Sequence, residues 1–480
     1  MITDLELQFA KHLSNEEAAR QKAVLKARRY YEGDQDTFLN DRLKAFLNIG
    51  DGDEFNLNVC RLVVGSVEER LVFLGMNTDE PSGEQAVTSE DRLPIARPVA
   101  EWAEQIYGCN QLGILSSDVH ELALSEGEAF IIVDWDDEYR HARFIPHPAY
   151  VSPDVGGDGF GCKAHYPDGD TSQPLLYISK RWTERIDAKR TRRRLTLYYP
   201  DRVEKYELVN EALKQFQDDG DTVWPIPTVG KRCNAIHFKN TSTLRPEHTD
   251  AIPIQNGVNK TVIDLLGSAD STAFQIFVAL GWIPTTDGKP PKEDGSNIAT
   301  VEPALVLGTT KSKQDTDFKA IDGSDLSPLL NLLSTLLSGV AVVSSTPESR
   351  LSFTRQIAAE GTLKEQNEGL FAKVRKRQKM YDPAWVEVFE VARLLQNEYG
   401  DKISAEPEFI ATWEPIQARD TQDERDEWRV KREMGIPQDQ IWREMGYSEA
   451  QIAKMQGSPE YQARVAMLGI DMTMSDSEDG

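Results

Sequence analysis

Residues 253 to about 397 alternate long helical patterns with short polar breaks, and that order limits the folds open to the chain. Residues 253–281 keep an apolar stripe through Ile254, Val258, Val262, Leu265, Leu266, Ala269, Ala273, Ile276, Phe277 and Leu280. As one helix this stretch runs about 43 Å. Gly257 and Gly267 weaken it and leave room for a neighbouring helix. A Gly/Pro/Asp-rich insert follows, containing PTTDGKPPKEDGSN and DFKAIDGSD, which predicts a small unit with a hairpin or two. Ser327 and Pro328 then read as N-cap and first-turn proline of a very apolar helix, 328–343. SSTPESRLSFTR (344–355) is a Pro-interrupted polar loop, and a long charged helix follows over 362–397 with Pro383 as a kink or break. Two long helices flanking a small insert form a stalk that carries a knob. Such a shape buries little surface within one chain, so its apolar faces point to copies of itself.

The N-terminal half reads differently. Helical patterns cover 1–31, 55–73, 98–107 and 112–125, with Gly33, Gly75 and Gly127 as stop signals and a polar loop over 77–86. Short β-branched runs then predict strands at 129–135, 143–145, 149–152, 175–179, 194–199 and 203–208, and 224–239 reads as an extended connector. The fold class is therefore α+β, with antiparallel sheet flanked by helices. After the long helix, further helices are expected at 419–434, 437–445 and 448–455, and an acidic, disordered tail at 471–480.

A formal net charge of −25, from 79 acids against 54 bases, argues against DNA binding by general electrostatics, which needs a positive footprint. It suits a surface that DNA passes without sticking. The four cysteines, Cys60, Cys109, Cys162 and Cys233, form no CxxC pair, so reduced and mostly buried thiols of a cytoplasmic protein are expected. The N-terminus lacks an apolar signal-peptide core. The most apolar run, 329–343, is shorter than the roughly 18–20 residues of a bilayer span and is interrupted by Asn331, Ser334, Thr335, Ser338 and Gly339, so no membrane association is expected.

Catalytic patterns are weak. Asp134, Asp136 and Asp137, with Glu138, end the strand at 129–135, where acids hold Mg²⁺ in some phosphoryl-transfer enzymes. No partner motif completes such a site, and a solvated turn is the favoured reading. His141, His147 and His165 lack metal-ligand spacing. Gly267-Ser268-Ala269-Asp270-Ser271 lacks the spacing of a nucleophile elbow, and no phosphate-binding GxxxxGK[ST] or GxGxxG motif is present. No catalytic residue, metal or cofactor is expected. Two basic runs stand out. Lys189, Arg190, Arg192, Arg193 and Arg194, preceded by Lys180, Arg181 and Arg185, read as a hairpin tip or a contact with an acidic neighbour. Lys373, Arg375, Lys376, Arg377 and Lys379 read as a solvated helix face or as salt bridges between subunits.

Several segments, in order, resemble the portal proteins of tailed bacteriophages, of the branch common in phages of actinobacteria. They are RRYYEGDQ (28–35), FNLNVCRLVVGSVEERLVFLG (55–75), EGEAFIIVDWD (126–136), LYYPDRVEKYEL (197–208), IPIQNGVNKTVIDLLGSADSTAFQIFVALG (252–281), EGTLKEQNEGLFAKVRKRQKMYDPAWVEVFEVARLL (360–395) and WEPIQARDTQDERDEWRVKREMGIPQDQIWREMGY (413–447). Residues 234–238 replace a more proline-rich piece of the family. The resemblance implies a portal-type architecture: a wing (1–251), a first stem helix (252–281), a clip (282–325), a second stem helix (326–343), a tunnel loop (344–360), a long helix with a helical crown (361–470) and the tail. It implies a ring, usually of twelve copies, at one capsid vertex of the virion, assembled in the host cytoplasm. Double-stranded DNA passes through the ring during packaging and ejection. The large terminase subunit and later a head-completion or adaptor protein dock on the clip, and major capsid and scaffolding proteins surround it. Twelve copies would carry a net charge of roughly −300. On this mapping the channel residues are Ser344, Ser345, Thr346, Glu348, Ser349, Arg350 and Arg355, the last two arginines offering brief phosphate contacts, and the clip docking residues are Lys289, Lys292, Glu293, Asp294, Lys311 and Lys313. The alternative reading is a metal-dependent nucleic-acid enzyme centred on Asp134, Asp136 and Asp137.

Overall fold

A computed structural model describes residues 15–35, 56–79, 89–151, 161–186, 191–209, 212–218, 223–273, 276–280, 317–321, 325–352, 360–403, 408–416 and 428–444, with isolated positions elsewhere. Its spine is one helix, Glu360–Tyr399 (α8 below), and elements of the N-terminal half pack around it. In chain order these are α1 (Asn15–Glu32), α2 (Val59–Glu68), β1 (Phe73–Asp79), α3 (Ser89–Cys109), α4 (Leu112–Glu126), β2 (Glu128–Asp136) and β3 (His141–Pro148).

The turn from α4 to β2 shows how one residue fixes where a helix ends and a strand begins. Gly127 ends α4 in the left-handed region (φ +95°), and a Cβ there would lie 2.2 Å from the Leu244 carbonyl oxygen. Only glycine fits both demands. β2 then runs between two cores. Ala129, Ile131 and Val133 face α8, while Phe130 and Ile132 face Val24 of α1 and Ile178. Alternation along a strand buried on both faces accounts for its continuous apolar run. β2 pairs with β3 on one side and with β10 (Ala235–Lys239) on the other. The connector expected at 224–239 thus ends in a sheet strand, carried by the alternating Ala235, Ile236, His237 and Phe238.

A second, antiparallel sheet contains β4 (Cys162–His165), β5 (Tyr177–Arg185), β6 (Thr191–Tyr198), β7 (Arg202–Val209) and β8 (Ala212–Gln215) in that order, with β9 (Ile226–Pro227) beside β7. The strand expected at 149–152 is not formed at residues 149–151. Ala149 and Tyr150 instead donate their backbone N–H groups to the buried Glu126 carboxylate at 2.8 and 3.2 Å.

Two further expectations change. Gly75 does not stop a helix; it sits in β1 at an irregularity in the pairing with β13 (Glu408–Trp413). The C-terminal part is therefore not purely helical, because β13 folds back onto the N-terminal half. The long helix also runs through Pro383 without a break. The proline lacks the N–H that would bond the Lys379 carbonyl, and Lys379 is exposed, so water is available there. Trp385, two residues on, is fully buried and stacks on Phe73 at 4.5 Å. Its indole N–H donates to His120 Nε2 at 3.1 Å, which places the imidazole proton on Nδ1, where it donates to the Leu71 carbonyl at 3.1 Å. Burial holds His120 neutral, with its pKa down to about 3.

Candidate channel and docking surfaces

α5 (Ile252–Ala273) and α6 (Ser327–Ser344) form the helix pair expected from the sequence. They pack on each other through reciprocal glycines. A Cβ on Gly257 would sit 3.5 Å from Leu336, and one on Gly339 would sit 3.7 Å from Ile254. The first helix is shorter than expected. Ile276–Leu280 forms strand β11, paired antiparallel with β12 (Asp317–Ile321) from Ile276↔Ile321 to Leu280↔Asp317. The run Ile276-Phe277-Val278 satisfies a helical stripe by position but has strand-forming side chains, and short apolar runs are ambiguous by periodicity alone. The insert is thus carried on a two-stranded neck. Lys292 is exposed; Lys289, Glu293, Asp294, Lys311 and Lys313 lie outside the described residues.

The N-cap of α6 lies one residue before Ser327. Asp325 accepts from the Ser327 backbone N–H at 2.9 Å, and Leu326 is the cap position. α6 contains no charged residue. One face, with Leu333, Leu337, Val340 and Ala341, packs on Ile252 and Val258 of α5 and on Val59 and Val63 of α2. The opposite face carries Leu332 and Val343, both exposed, and Val342, 80% exposed. By length and composition α6 could cross a membrane, and 28% of it is buried in the chain.

At the C-terminus of α6 the expected tunnel loop begins as an ordered turn. Ser345 takes the left-handed conformation (φ 52°). Ser344 and Thr346 are buried; the Ser344 hydroxyl bonds the Thr346 hydroxyl at 2.8 Å, and Thr346 N–H donates to the Ala341 carbonyl at 3.2 Å. These two side chains build the turn instead of lining a surface. A single helical turn, α7 (Glu348–Leu351), follows. Glu348 and Ser349 are exposed, whereas Leu351 is buried with the α5–α6 core. Arg350 reaches Glu69 Oε2 at 2.7 Å and the Ser66 hydroxyl at 3.4 Å, so a phosphate contact by Arg350 has to compete with a carboxylate. With Arg61, Gly65, Asn58 and Leu62, this pair lines a groove of about 460 Å³. Arg355 lies outside the described residues.

The second basic run was expected to face solvent or a neighbour. Arg375 does face solvent, beside Glu368 at 3.2 Å. Lys373 and Arg377 point inward, each 2.7 Å from the carboxylate of Glu247. Burial pushes the Glu247 pKa up, but the two cations outweigh it and hold the group down at about 2. Lys373 also donates to the Ser344 carbonyl at the end of α6. Glu247 lies in an irregular RPEHTD stretch with no pattern that marks it.

Asp136 and the three histidines make local contacts. Asp136 accepts from the backbone N–H groups of Glu138 and Tyr139 at 3.1 and 3.0 Å, shaping the β2–β3 turn. His141, His147 and His165 bond separately to the Ala142 carbonyl, Lys180 and the Ser179 hydroxyl. Among the described residues no cluster of three or more His, Cys, Asp or Glu side chains could hold a metal ion. In the first basic run Arg194 is buried over Phe216 and paired with Glu184 at 2.6 Å, and Arg192 faces Glu207 at 3.4 Å; Lys189 and Arg190 lie outside the described residues. Cys60, Cys162 and Cys233 are buried thiols pushed up to about 12 by burial, and Cys109 is exposed.

No curated protein matches the chain. The model of the family described as "Phage portal protein, SPP1 Gp6-like" matches residues 165–455, more than half of the chain, a range that takes in β5 to β9 of the second sheet, the α5–α6 pair with its insert, and α8. The chain belongs to the SPP1 Gp6-like family of phage portal proteins.

Proposed function

We propose that the chain assembles into a ring, of about twelve copies by the family resemblance, at one capsid vertex, and that DNA enters and leaves the head through its centre. In this reading α5 and α6 are the stem, the insert on β11 and β12 is the clip, and the turn from Ser344 begins the tunnel loop. The clip receives the large terminase subunit during packaging and a head-completion protein afterwards. Capsid and scaffolding proteins are further partners of the ring, and the chain falls in the branch common in phages of actinobacteria. The chain contributes a conduit and docking surfaces and no catalysis.

The observation that carries this reading is the uncovered, uncharged side of α6, where exposed apolar side chains stand among Asn331, Ser334 and Thr335. A helix without charge, packed on one side and bare at Leu332, Val342 and Val343 on the other, needs a partner to cover it. A neighbouring copy in a ring supplies one at every position. The acidic composition supports passage over adhesion, since a surface of like charge repels phosphates within about 8–10 Å at physiological salt. Light scattering of the wild type and of Val342→Glu tests it. The wild type is expected as a large oligomer and the variant as a folded chain near 54 kDa. A variant that assembles like the wild type would remove the α6 face from the interface.

A further inference from the structure

Glu247 and His248 sit where five helices converge. The Glu247 backbone N–H donates to the Leu124 carbonyl in α4 at 2.8 Å. His248 Nε2 donates to the Ala27 carbonyl of α1 at 2.8 Å. The His248 carbonyl accepts from Ala251 and Ile252 at 3.0 and 3.2 Å, opening α5. The Glu247 side chain holds Lys373 and Arg377 of α8. Lys373 in turn reaches the last carbonyl of α6.

Lys373 therefore has a double role that its position on a charged helix does not suggest. Its ammonium offers three donors on a flexible stem. One side meets a buried carboxylate. The other meets the C-terminal end of α6, where carbonyls lack intrahelical partners and the helix dipole favours a cation. The turn that begins at Ser344 is held a second time at its far end, where Arg350 reaches Glu69 and Leu351 is buried.

We infer that Lys373 is a positioning residue that fixes the end of α6 to the Glu247–His248 hub, so that displacement of the helix pair is passed to the wing and to the Ser344–Ser352 turn together. The functional side of this inference rests on reading α5 and α6 as the stem. Without Lys373, the turn would absorb such a displacement by itself.

The test is hydrogen exchange on the full-length protein, comparing wild type, Lys373→Met, Lys373→Arg and the exposed control Arg375→Met. The amides of Thr346, Arg350 and Ser352 report the turn, and that of Val133, bonded to the Asn234 carbonyl, reports the wing. Lys373→Met is expected to speed exchange in the turn tenfold or more while leaving Val133 unchanged. Lys373→Arg is expected to restore protection to within about twofold, because a guanidinium can meet both partners. Arg375→Met should match the wild type. Unchanged exchange in Lys373→Met overturns the inference, as does an equal rise at Val133, which would make Lys373 a general stabiliser. Particle mass is read on the same samples. A wild type without rings contradicts the portal reading alone, and rings with an unaltered turn contradict the Lys373 inference alone. With rings intact, Lys373→Met is further expected to package less DNA than Lys373→Arg in a reconstituted packaging reaction; equal yields overturn the functional side.

Discussion

Glu247→Gln removes one negative charge from the hub and leaves its shape almost unchanged. The carboxylate is 3% exposed and accepts from Lys373 at 2.7 Å and from Arg377 Nε and Nη2 at 3.0 and 2.7 Å. Two independent routes give the cost. Its pKa is about 2 against an ordinary value of 4.5, and this difference corresponds to about 3 kcal/mol of stability at neutral pH. Removing one member of a buried ion pair costs about 3–5 kcal/mol, because the remaining charge is left without its counter-ion. The sign with pH follows from the depressed pKa. The contribution is complete above about pH 4.5 and is lost as pH falls toward 2. Urea unfolding at pH 7 is thus expected to show the variant about 3 kcal/mol less stable, and at pH 3 the linkage part shrinks to about 1 kcal/mol. A loss below about 1 kcal/mol at pH 7, or a difference that does not narrow between pH 7 and pH 3, would refute the argument that Glu247 is a charge-compensating hub.

Other expectations use different parts of the molecule. Gly127→Ala combines a left-handed backbone with a Cβ 2.2 Å from Leu244 O and should lower stability by about 3 kcal/mol or more, read by thermal unfolding. Trp385→Ala empties a fully buried site and strips His120 Nε2 of its donor, for a loss of about 3–5 kcal/mol by urea titration. Pro383→Ala restores a helix donor and should raise stability, by at most about 3 kcal/mol; a decrease would show that the proline shapes α8. Glu126 runs opposite to Glu247. Burial outweighs Arg28 at 3.3 Å and raises its pKa to about 7, so its contribution is complete below about pH 4.5 and is lost as pH rises through 7. Glu126→Gln should flatten the decline in melting temperature between pH 5 and 8, and an unchanged slope would count against it.

The sequence revealed elements whose signals are local and missed those defined by distant partners. α6 and α8 are long and strongly patterned, and α4 ends at a glycine, so each is found almost where expected. β2 is visible as an apolar run and β5 to β7 as alternating strands between turns. β1 was hidden because its partner, β13, lies more than 300 residues away and because Gly75 imitates a helix stop. β11 was hidden by a helical stripe that continued past Ala273. The hub was illegible for a similar reason. Lys373 and Arg377 share a helix with the exposed Lys376 and Lys379, and the sequence does not say which of them turn inward. Arg350 was legible as a cation in a polar loop, but its partner Glu69 belongs to a different segment of the chain.

A portal requires that copies of this chain close around a channel. Electron microscopy of the purified protein, with particle mass measured on the same sample, tests this most directly. Closed rings of about twelve subunits, with α6 at the subunit contacts and a central hole wide enough for a DNA duplex, are the predicted result. Monodisperse single chains that stay monomeric at high concentration and with capsid partners present, or assemblies without a central opening, would contradict it.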